Sequence, residues 1–309
     1  MNCILYRKGV KCAYVYSGGT KKVKEFVITT DSTVDLSKEF LEEKDITVLS
    51  LSYILDGVTY KDMDGLTGKE FFDKLRNGSL PTTSQINPEE ARAIFEPLVK
   101  DGKDILHIAF SSGLSGTYNS CRIAAEDLME DYPDAKVIVI DSLCASMGEG
   151  LLLYKAIELK EQGKTMQEIA AWLEENKLHI CHNVTVDDLF HLHRGGRISK
   201  ATAVLGTMVK IKPIIHMNNE GKLIVIGKER GRKKSITHLV DRMENQMGDY
   251  DNSTCMITHG DCEEDALYLK SLLEERFGTK KVIIHGIGSV IGSHTGPGVL
   301  AVFFMGNER

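Results

Sequence analysis

The chain has 309 residues, of which 42% are hydrophobic and 27% are charged, and its net charge is −6. This length suits two domains, and the composition is that of a soluble globular protein. The acidic balance argues against a nucleic-acid-binding protein, which usually presents a basic face. The seven cysteines are scattered and form no C-x-x-C pair, which fits a reducing cytoplasm.

The N-terminal segment differs from the rest of the chain. Its longest apolar run, "CAYVY", is too short for a signal peptide or a membrane span, and the following "SGGTKK" is typical of a linker. We therefore expect residues 1–22 to be a disordered or appended segment outside the fold. An extra edge strand formed by "CAYVY" is the alternative.

Between residues 23 and 177, apolar strands alternate with helical patterns. The predicted strands are "EFVITTDS", "DILHIAF" and "AKVIVIDS", with one or two more in "DITVLSLSYILDGVTY". Asn87 as N-cap and Pro88 at the first helical position indicate a helix start. This alternation predicts an α/β domain with a mainly parallel, Rossmann-like sheet. The polar loops "TTDSTVD", "FSSGLSGTY" and "IDSLCAS" follow three strands, at the edge where such sheets bind ligands.

Between residues 178 and 309 the pattern becomes richer in strands. The predicted strands include "LHICHNVTV", "TCMITHG", "KKVIIHGIGS" and "PGVLAVFFMG", and the segment Asn218–Gly221 is a predicted hairpin turn between two apolar runs. Two helices are predicted, in "ITHLVDRMENQMG" and "EEDALYLKSLLEERFG". The sequence therefore predicts a second α/β domain, built on a mixed sheet.

The loop "AFSSGLSGTYNS", residues 109–120, is a candidate anion site. Backbone N–H groups at a helix N-terminus attract anions, and serine and threonine add neutral hydroxyl donors. The loop contains no lysine, and it matches neither the Walker pattern G-x-x-x-x-G-K-[ST] nor the dinucleotide pattern G-x-G-x-x-G. An ordinary cap of the following helix explains the same residues equally well.

Three further segments carry less specific signals. "GKERGRKKS" is either a solvated basic turn or a patch for an acidic partner or a phosphate, with Arg230 and Arg232 as its candidates. His191 and His193 stand two apart on a helix-like segment, so they point in different directions, and no metal site is predicted. "IGSHTGPG" is either a structural turn or a loop that directs its histidine and threonine into a cleft between the domains.

Seven stretches together resemble one family of proteins. They are "VITTDSTVDL", "PTTSQINPEE", "IAFSSGLSGTYNS", "VIVIDSLCASMGEG", "VDDLFHLHRGGRIS", "IKPIIHMNNEGKL" and "GSHTGPGVLAVFF". In this order they resemble the DegV family, bacterial fatty-acid-binding proteins that include the binding subunit of the fatty acid kinase system. The resemblance runs from about residue 24 to the end. It implies a two-domain α/β fold that holds a long-chain fatty acid in an apolar tunnel between the domains.

The resemblance also implies which residues meet the ligand. Arg197 is expected near the cleft and Arg230 near the ligand mouth, where they would serve the head group or the kinase. Neutral hydroxyls and amides would keep a buried carboxylate hydrogen-bonded without a tight ion pair. The carboxylate-binding positions that the resemblance implies are Thr83, Ser84, Ser115, Gly116, His294 and Thr295.

The resemblance favours a non-catalytic carrier. We expect a cytoplasmic monomer without cofactor or metal, with at most transient membrane contact. It would present a bound fatty acid to a separate ATP-dependent fatty acid kinase. One alternative is a small-molecule transferase or kinase related by fold to the dihydroxyacetone kinases, which the Gly/Ser loop at the sheet edge supports. A regulatory lipid sensor with a different protein partner is the other.

Overall fold

The computed structural model describes residues 24–199 and 210–309. The predictions for residues 1–22, the strand alternative in "CAYVY" among them, lie outside this part of the chain. So does the beginning of the apolar run that leads into Ile211. Among the described helices, none is both long enough and apolar enough to cross a membrane.

The first half of the chain forms the predicted parallel sheet. Its strand order is β2-β1-β6-β7, and all neighbours are parallel. Every residue of β6 is buried, as the apolar run predicted for a strand covered on both faces. The strands are β1 (Phe26–Asp31), β2 (Thr47–Leu49), β6 (Asp104–Ala109) and β7 (Val137–Asp141).

A small antiparallel sheet, in the order β4-β3-β5, lies beside the parallel one. The prediction of one or two strands in "DITVLSLSYILDGVTY" was wrong, because this segment forms β2 and two strands of the small sheet. The chain reverses at Asp56 and Gly57, whose φ angles of 52° and 80° match the two-residue hairpin turns that favour Asp-Gly. The strands are β3 (Ser52–Leu55), β4 (Val58–Lys61) and β5 (Thr82–Ser84).

Six helices accompany these sheets. The predicted cap at Asn87 is confirmed, since its side chain accepts from the Glu90 N–H while the Glu90 carboxylate accepts from the Asn87 N–H. The helix that begins at Met147 is buried around most of its circumference, because it contacts strands of both large sheets. The helices are α1 (Lys38–Glu43), α2 (Gly68–Arg76), α3 (Pro88–Lys100), α4 (Thr117–Asp131), α5 (Met147–Glu161) and α6 (Met166–Asn176).

The second half forms a six-stranded mixed sheet in the order β10-β9-β8-β13-β11-β12, in which only β11 and β12 are parallel neighbours. The predicted hairpin is confirmed, because β9 and β10 are antiparallel and the Gly221 N–H donates to the Asn218 carbonyl at 3.0 Å. The strands are β8 (Ile180–Thr185), β9 (Ile211–Met217), β10 (Leu223–Arg230), β11 (Thr254–His259), β12 (Lys281–Gly286) and β13 (Leu300–Met305).

Four described helices belong to this half. The segment "SVIGSHT" was not predicted to be helical, yet it forms the helix that carries His294. Its first N–H groups are bonded to carboxylates that lie more than 200 residues earlier in the chain, a partnership that local patterns do not reveal. The helices are α7 (Phe190–Arg194), α8 (Arg232–Gln246), α9 (Glu263–Phe277) and α10 (Ser289–Thr295).

The main apolar core runs through both halves and includes Ile28, Met147 and Phe303. A second cluster, with Leu239 and Phe304, lies between the mixed sheet and the helices α8 and α9. The strands of the second sheet begin just after the predicted domain boundary at residue 177. Because the main core continues across that boundary, the division into two domains stays a prediction.

Candidate functional site

A cavity of about 310 Å³ lies between the two large sheets, a size at the lower end of small-molecule sites. Most of its wall is hydrocarbon, contributed by β8, β13, α10 and the loops after β6 and β7. The apolar side chains of the wall include Leu51, Phe110, Val184, Ile291, Ala301 and Phe303. The cavity is therefore suited to a ligand with a large apolar part.

Polar residues of the wall fall into two groups. The first, called the polar cluster below, is partly open to solvent, since Ser84 and Gln85 are exposed. The second, called the buried trio, consists of Ser146, His182 and Thr258, which are 4%, 2% and 0% exposed. The polar cluster comprises Thr83, Ser84, Gln85, Ser115, Arg197, His294 and Thr295.

His294 and Thr83 are joined across the two halves of the chain, with 2.8 Å between His294 Nε2 and Thr83 Oγ1. His294 Nδ1 is buried and has no hydrogen-bond partner among the described residues. An unpaired buried donor is costly, so the favoured tautomer carries its hydrogen on Nε2 and donates it to Thr83. The hydrogen of the Thr83 hydroxyl is then free to donate into the cavity.

His294 is a neutral donor. Burial, followed by the positive charges of Arg197 and Arg194, lowers the pKa of its imidazole to about 3. Gly195 allows this placement, because a Cβ there would lie 2.1 Å from His294 Nδ1. The glycine pair of "GGRIS" was not predicted to act on the histidine, since the two segments meet only in the tertiary structure.

Ser115 supplies a second hydroxyl. Its Oγ accepts from the Thr117 N–H at 3.2 Å and lies 3.0 Å from Thr117 Oγ1. When the Thr117 hydroxyl donates in that pair, the hydrogen of Ser115 is free for a ligand. The Ser115 hydroxyl thus accepts from the first amide of α4 and also lines the cavity, so its use as a ligand site stays a prediction.

The amide of Gly116 is not free in this structure. It donates to Gln85 Oε1 at 3.0 Å, and a Cβ at Gly116 would lie 2.4 Å from the same oxygen. The glycine therefore makes room for Gln85, whose part in the site was missed by the sequence analysis. Gln85 is 31 residues away from Gly116 in sequence, so no local pattern signals this contact.

The first part of the same loop joins the two halves. Ser111 Oγ donates to the Gly221 carbonyl at 2.8 Å, and a Cβ at Gly113 would lie 2.5 Å from the Glu220 carbonyl oxygen. The hairpin turn between β9 and β10 thus rests on the loop. Gly113 therefore leaves room for backbone from the other half of the chain.

The two neighbouring hydroxyl-rich loops contribute less than expected. In "TTDSTVD" the Thr33 hydroxyl donates to Asp31 and Glu149, all of which are buried. Of the polar side chains in "IDSLCAS", only Ser146 lines the cavity among the residues described. A position at the sheet edge therefore did not suffice to predict which side chains line the cavity, because polar side chains of these loops bond to other protein groups.

Two arginines brace the cluster. Arg197 donates to the Leu114 carbonyl at 2.9 Å, and desolvation lowers the pKa of its guanidinium. Arg194 donates to the carbonyls of Pro81 at 2.7 Å and Ser293 at 3.2 Å, so it links α7, the approach to β5 and α10. The sequence predicted Arg197 near this place and missed Arg194.

Arg230 is not brought to the cavity. It is exposed at the end of β10, and the cavity wall does not include it. Arg232, the other basic candidate of "GKERGRKKS", is paired with Asp265 at 2.8 Å. Neither arginine therefore contributes to the described cavity wall.

The buried trio is hydrogen-bonded to the protein itself. Ser146 Oγ donates to Asp35, and Thr258 Oγ1 donates to the His285 carbonyl at 3.2 Å. His182 accepts from the Ala145 N–H at 3.2 Å, so its ring hydrogen is on Nδ1, which lies 3.1 Å from the Ile180 carbonyl. These residues leave a ligand little beyond carbon atoms to contact.

The charge in the cavity favours an anion. Arg197 is the charged residue of the wall, and no acidic side chain lines it among the described residues. The same part of the chain contains no group of three or more His, Cys, Asp or Glu residues arranged to hold a metal ion. Free hydroxyl donors, a guanidinium and an apolar wall together suit an amphipathic anion.

Comparison with known proteins finds matches over most of the chain. A family model described as "Uncharacterised protein, DegV family" matches residues 25–307. A DegV domain-containing protein of Clostridium perfringens is 46% identical over 289 residues, which cover 93% of this chain and 99% of that relative.

Solved structures agree with the fold. One is described as DegV, a fatty acid binding protein from Bacillus subtilis, with 30% identity, a TM-score of 0.80, and coverage of 92% of this chain and 100% of that one. Another, described as a stearic acid-binding protein from Eubacterium ventriosum, has 28% identity and a TM-score of 0.82, and the match covers 90% of this chain and 98% of that one. The predicted α/β fold, with a parallel and a mixed sheet, is confirmed.

Proposed function

The chain belongs to the DegV family, and on that premise we propose that it binds a long-chain fatty acid in the cavity between its two sheets. The observation that carries the proposal is the distribution of free hydrogen-bonding capacity. The polar cluster retains hydrogen-bond donors for a carboxylate, whereas the hydrogen-bonding groups of the buried trio are already paired with protein groups. The family's solved structures support the same ligand class, because several are described as fatty-acid-binding.

We assign the carboxylate to the polar cluster. The hydroxyls of Thr83 and Ser115 would donate to it, and the charge of Arg197 would stabilise it without direct contact. Gly116 would join by exchanging Gln85 Oε1 for a ligand oxygen. Ser84 and Thr295 complete the proposed set, since both line the cavity beside these groups.

Most of the affinity would come from the acyl chain. Each methylene removed from water contributes about 0.8 kcal/mol, so a dozen contribute about 10 kcal/mol before the cost of association. The head group would then mainly fix the direction in which the ligand lies. This division fits a carrier that must expose one reactive end.

The proposed carrier presents its ligand to a separate ATP-dependent fatty acid kinase and performs no chemistry itself. This step rests on the resemblance to the family's kinase-system members. The exposure of Ser84 and Gln85 supports it, because a partner could reach the head group from that side. The neutral His294 is compatible with it, since a carboxylate that is not neutralised by a histidinium remains a better nucleophile.

Native mass spectrometry tests the binding proposal. Protein purified from bacteria should carry a lipid of fatty-acid mass, and stripped protein should take up oleate or palmitate. Repeated isolation of empty protein that takes up neither lipid would overturn the proposal. ATP binding by the isolated chain would instead favour a small-molecule transferase.

A second experiment tests the role of the polar cluster. With a fatty acid kinase, Ser115→Ala and His294→Ala should slow phosphorylation of the bound ligand more than they weaken lipid retention. Ser112→Ala is the matched control, because Ser112 is an exposed serine of the same loop outside the cavity wall. An unchanged phosphorylation rate in the first two variants would remove those residues from the head-group site.

A further inference from the structure

Helix α10 forms part of the cavity wall. Val290, Ile291, His294 and Thr295 face the cavity, and Ile287 continues the wall just before the helix. The C-terminal end of α10 is tied to the other half of the chain through His294 and Thr83. Any movement of its N-terminal end would therefore change both the wall and the position of the histidine.

Two buried carboxyl groups hold that N-terminal end. Asp35 Oδ1 accepts from the Gly288 N–H at 2.8 Å, and Asp62 Oδ1 accepts from the Val290 N–H at 3.3 Å. Asp35 is 4% exposed and Asp62 is fully buried. Asp35 follows β1 and Asp62 follows β4, so both carboxyls come from the half of the chain opposite to α10.

Both carboxyls lie next to one glycine. A Cβ at Gly288 would lie 2.7 Å from Asp35 Oδ1 and 3.4 Å from Asp62 Oδ2. The Ser146 hydroxyl donates to Asp35, and the Ser32 hydroxyl donates to Asp62 at 3.0 Å. Ser146 also lines the cavity, so this arrangement adjoins the proposed ligand directly.

We propose that Asp35 and Asp62 are positioning residues that keep α10 closed against the cavity, and that their ionisation determines how readily this wall opens for fatty-acid exchange. The exchange of ligand rests on the proposed function. The movement of α10 does not rest on the proposed function, so the two proposals can fail separately.

The surroundings give these carboxyls no cationic partner. No ion pair with a described residue involves Asp35 or Asp62. Asp35 and Asp62 also line a second cavity, together with Lys38. Lys38 is paired with Asp64. The other titratable groups that face the pair or its cavity are Asp31, Glu39, Tyr53, Glu149 and His285.

The direction of the pH effect follows from burial. Desolvation raises the pKa of Asp62 from 3.8 to about 6, and desolvation together with the charge of Asp62 raises the pKa of Asp35 well above its ordinary value. When α10 opens, water reaches these groups and their pKa values fall towards the ordinary value. The closed form therefore gains stability as the pH falls through about 6 and loses it as the pH rises.

The pKa shift of Asp62 gives the size of the effect expected from that carboxyl. With a pKa of about 6 when closed and 3.8 when open, the closed-to-open ratio should be roughly tenfold larger at about pH 5 than at about pH 8. Ionisation of Asp62 above about pH 6 thus weakens the closed form, which suits a carrier that must release its ligand.

The first test measures ligand dissociation. The fluorescent fatty acid cis-parinaric acid is loaded on the full chain, and its transfer to phosphatidylcholine vesicles is followed by stopped flow between about pH 5 and pH 8. Titration of the ligand affects every variant alike, so only differences between variants count. The ratio of the transfer rate at about pH 8 to the rate at about pH 5 should be roughly tenfold smaller in Asp62→Asn than in the wild type. It should be smaller still in the double variant with Asp35→Asn.

Asp64→Asn is the matched control, because this carboxylate lies two residues away but is exposed and paired with Lys38. It should keep the wild-type pH ratio. The inference is overturned if the folded double variant shows the same pH ratio as the wild type.

The second test needs no ligand. Amide hydrogen exchange of Ser289 and Val290 in the empty full chain, corrected for the intrinsic rate, should show roughly tenfold less protection at about pH 8 than at about pH 5. Ile257, in the buried strand β11, is the reference. Unchanged protection would overturn the inference while leaving fatty-acid binding intact. Should the variants fail to fold, the wild-type exchange profile alone decides.

Discussion

The polar cluster and the buried trio line the same cavity with similar residue types, yet they offer a ligand different chemistry. Thr83 and Thr258 are both threonines, and His294 and His182 are both histidines. In the buried trio each hydrogen-bonding group already has a protein partner. Thr83 and Ser115 keep a hydroxyl hydrogen for a ligand when His294 and Thr117 donate to them. A binding group is thus defined by its unused hydrogen-bonding capacity, because a satisfied polar side chain presents mainly carbon.

The largest predicted effect comes from filling the hydrocarbon part of the cavity. Ala301→Phe should weaken fatty-acid binding on the order of 100-fold, because a ring that displaces about four methylenes costs about 3 kcal/mol. Ala301→Val should have an intermediate effect. Isothermal titration with palmitate, after thermal melting has verified the fold, measures both. Equal affinities in all three proteins would mean that the acyl chain lies elsewhere.

A smaller loss is expected at the polar cluster. Thr83→Val keeps the shape of the side chain but removes the hydroxyl that meets both His294 and the proposed carboxylate. Affinity for palmitate should fall about tenfold, since a hydrogen bond to a charged group contributes about 1.5 kcal/mol. Thr82→Val is the matched control, because Thr82 is exposed on the same strand and absent from the cavity wall. Similar affinities for the two variants would contradict the assignment of Thr83.

Loss of a hydroxyl from the buried trio should have the smallest effect on ligand affinity. Thr258→Val removes a group that donates to the His285 carbonyl, so protein stability should fall by about 1 kcal/mol. Affinity for palmitate should change less than about threefold. Urea unfolding and titration measure the two effects. If Thr258→Val weakens binding as much as Thr83→Val, the contrast between the two groups does not hold.

The charge state of His294 should not change in the neutral range. Because its pKa is lowered from 6.5 to about 3, its imidazole resonances should not titrate between about pH 5 and pH 8. A base with a lowered folded pKa loses stabilisation as the pH falls below its unfolded value, so His294→Asn should reduce acid destabilisation below about pH 6. Nuclear magnetic resonance follows the ring, and titration of His294 near pH 6.5 would contradict its burial as a neutral donor.

Much of the fold could be predicted from local patterns. The fully apolar run of β6 and the cap at Asn87 are properties of adjacent residues, and they identified a buried strand and a helix start. The third strand within residues 45–60 was missed although Asp56-Gly57 is a hairpin signal. The helix carrying His294 was missed for a different reason, because the groups that satisfy its first amides lie in the other half of the chain.

The same distinction applies to the candidate site. The segments containing Thr83, Ser115 and His294 were identified by resemblance, and the structure brings these side chains to one cavity. Gln85, Arg194 and Gly195 were missed, since their roles depend on contacts with residues distant in sequence. Arg230 was expected at the ligand mouth, and it is exposed and does not line the cavity.

By itself, the sequence determined the α/β class and the parallel and mixed sheets, because hydrophobic periodicity, caps and turns act over a few neighbouring positions. The candidate residues of the site came from the family resemblance. Only the tertiary structure decided which hydroxyls remain free. In "AFSSGLSGTYNS", Ser111 bonds the hairpin at Gly221 whereas Ser115 faces the cavity. The physical reason is that a hydroxyl has one hydrogen to donate: Ser111 gives its hydrogen to a carbonyl from the opposite half of the chain, whereas Ser115 bonds within its own loop.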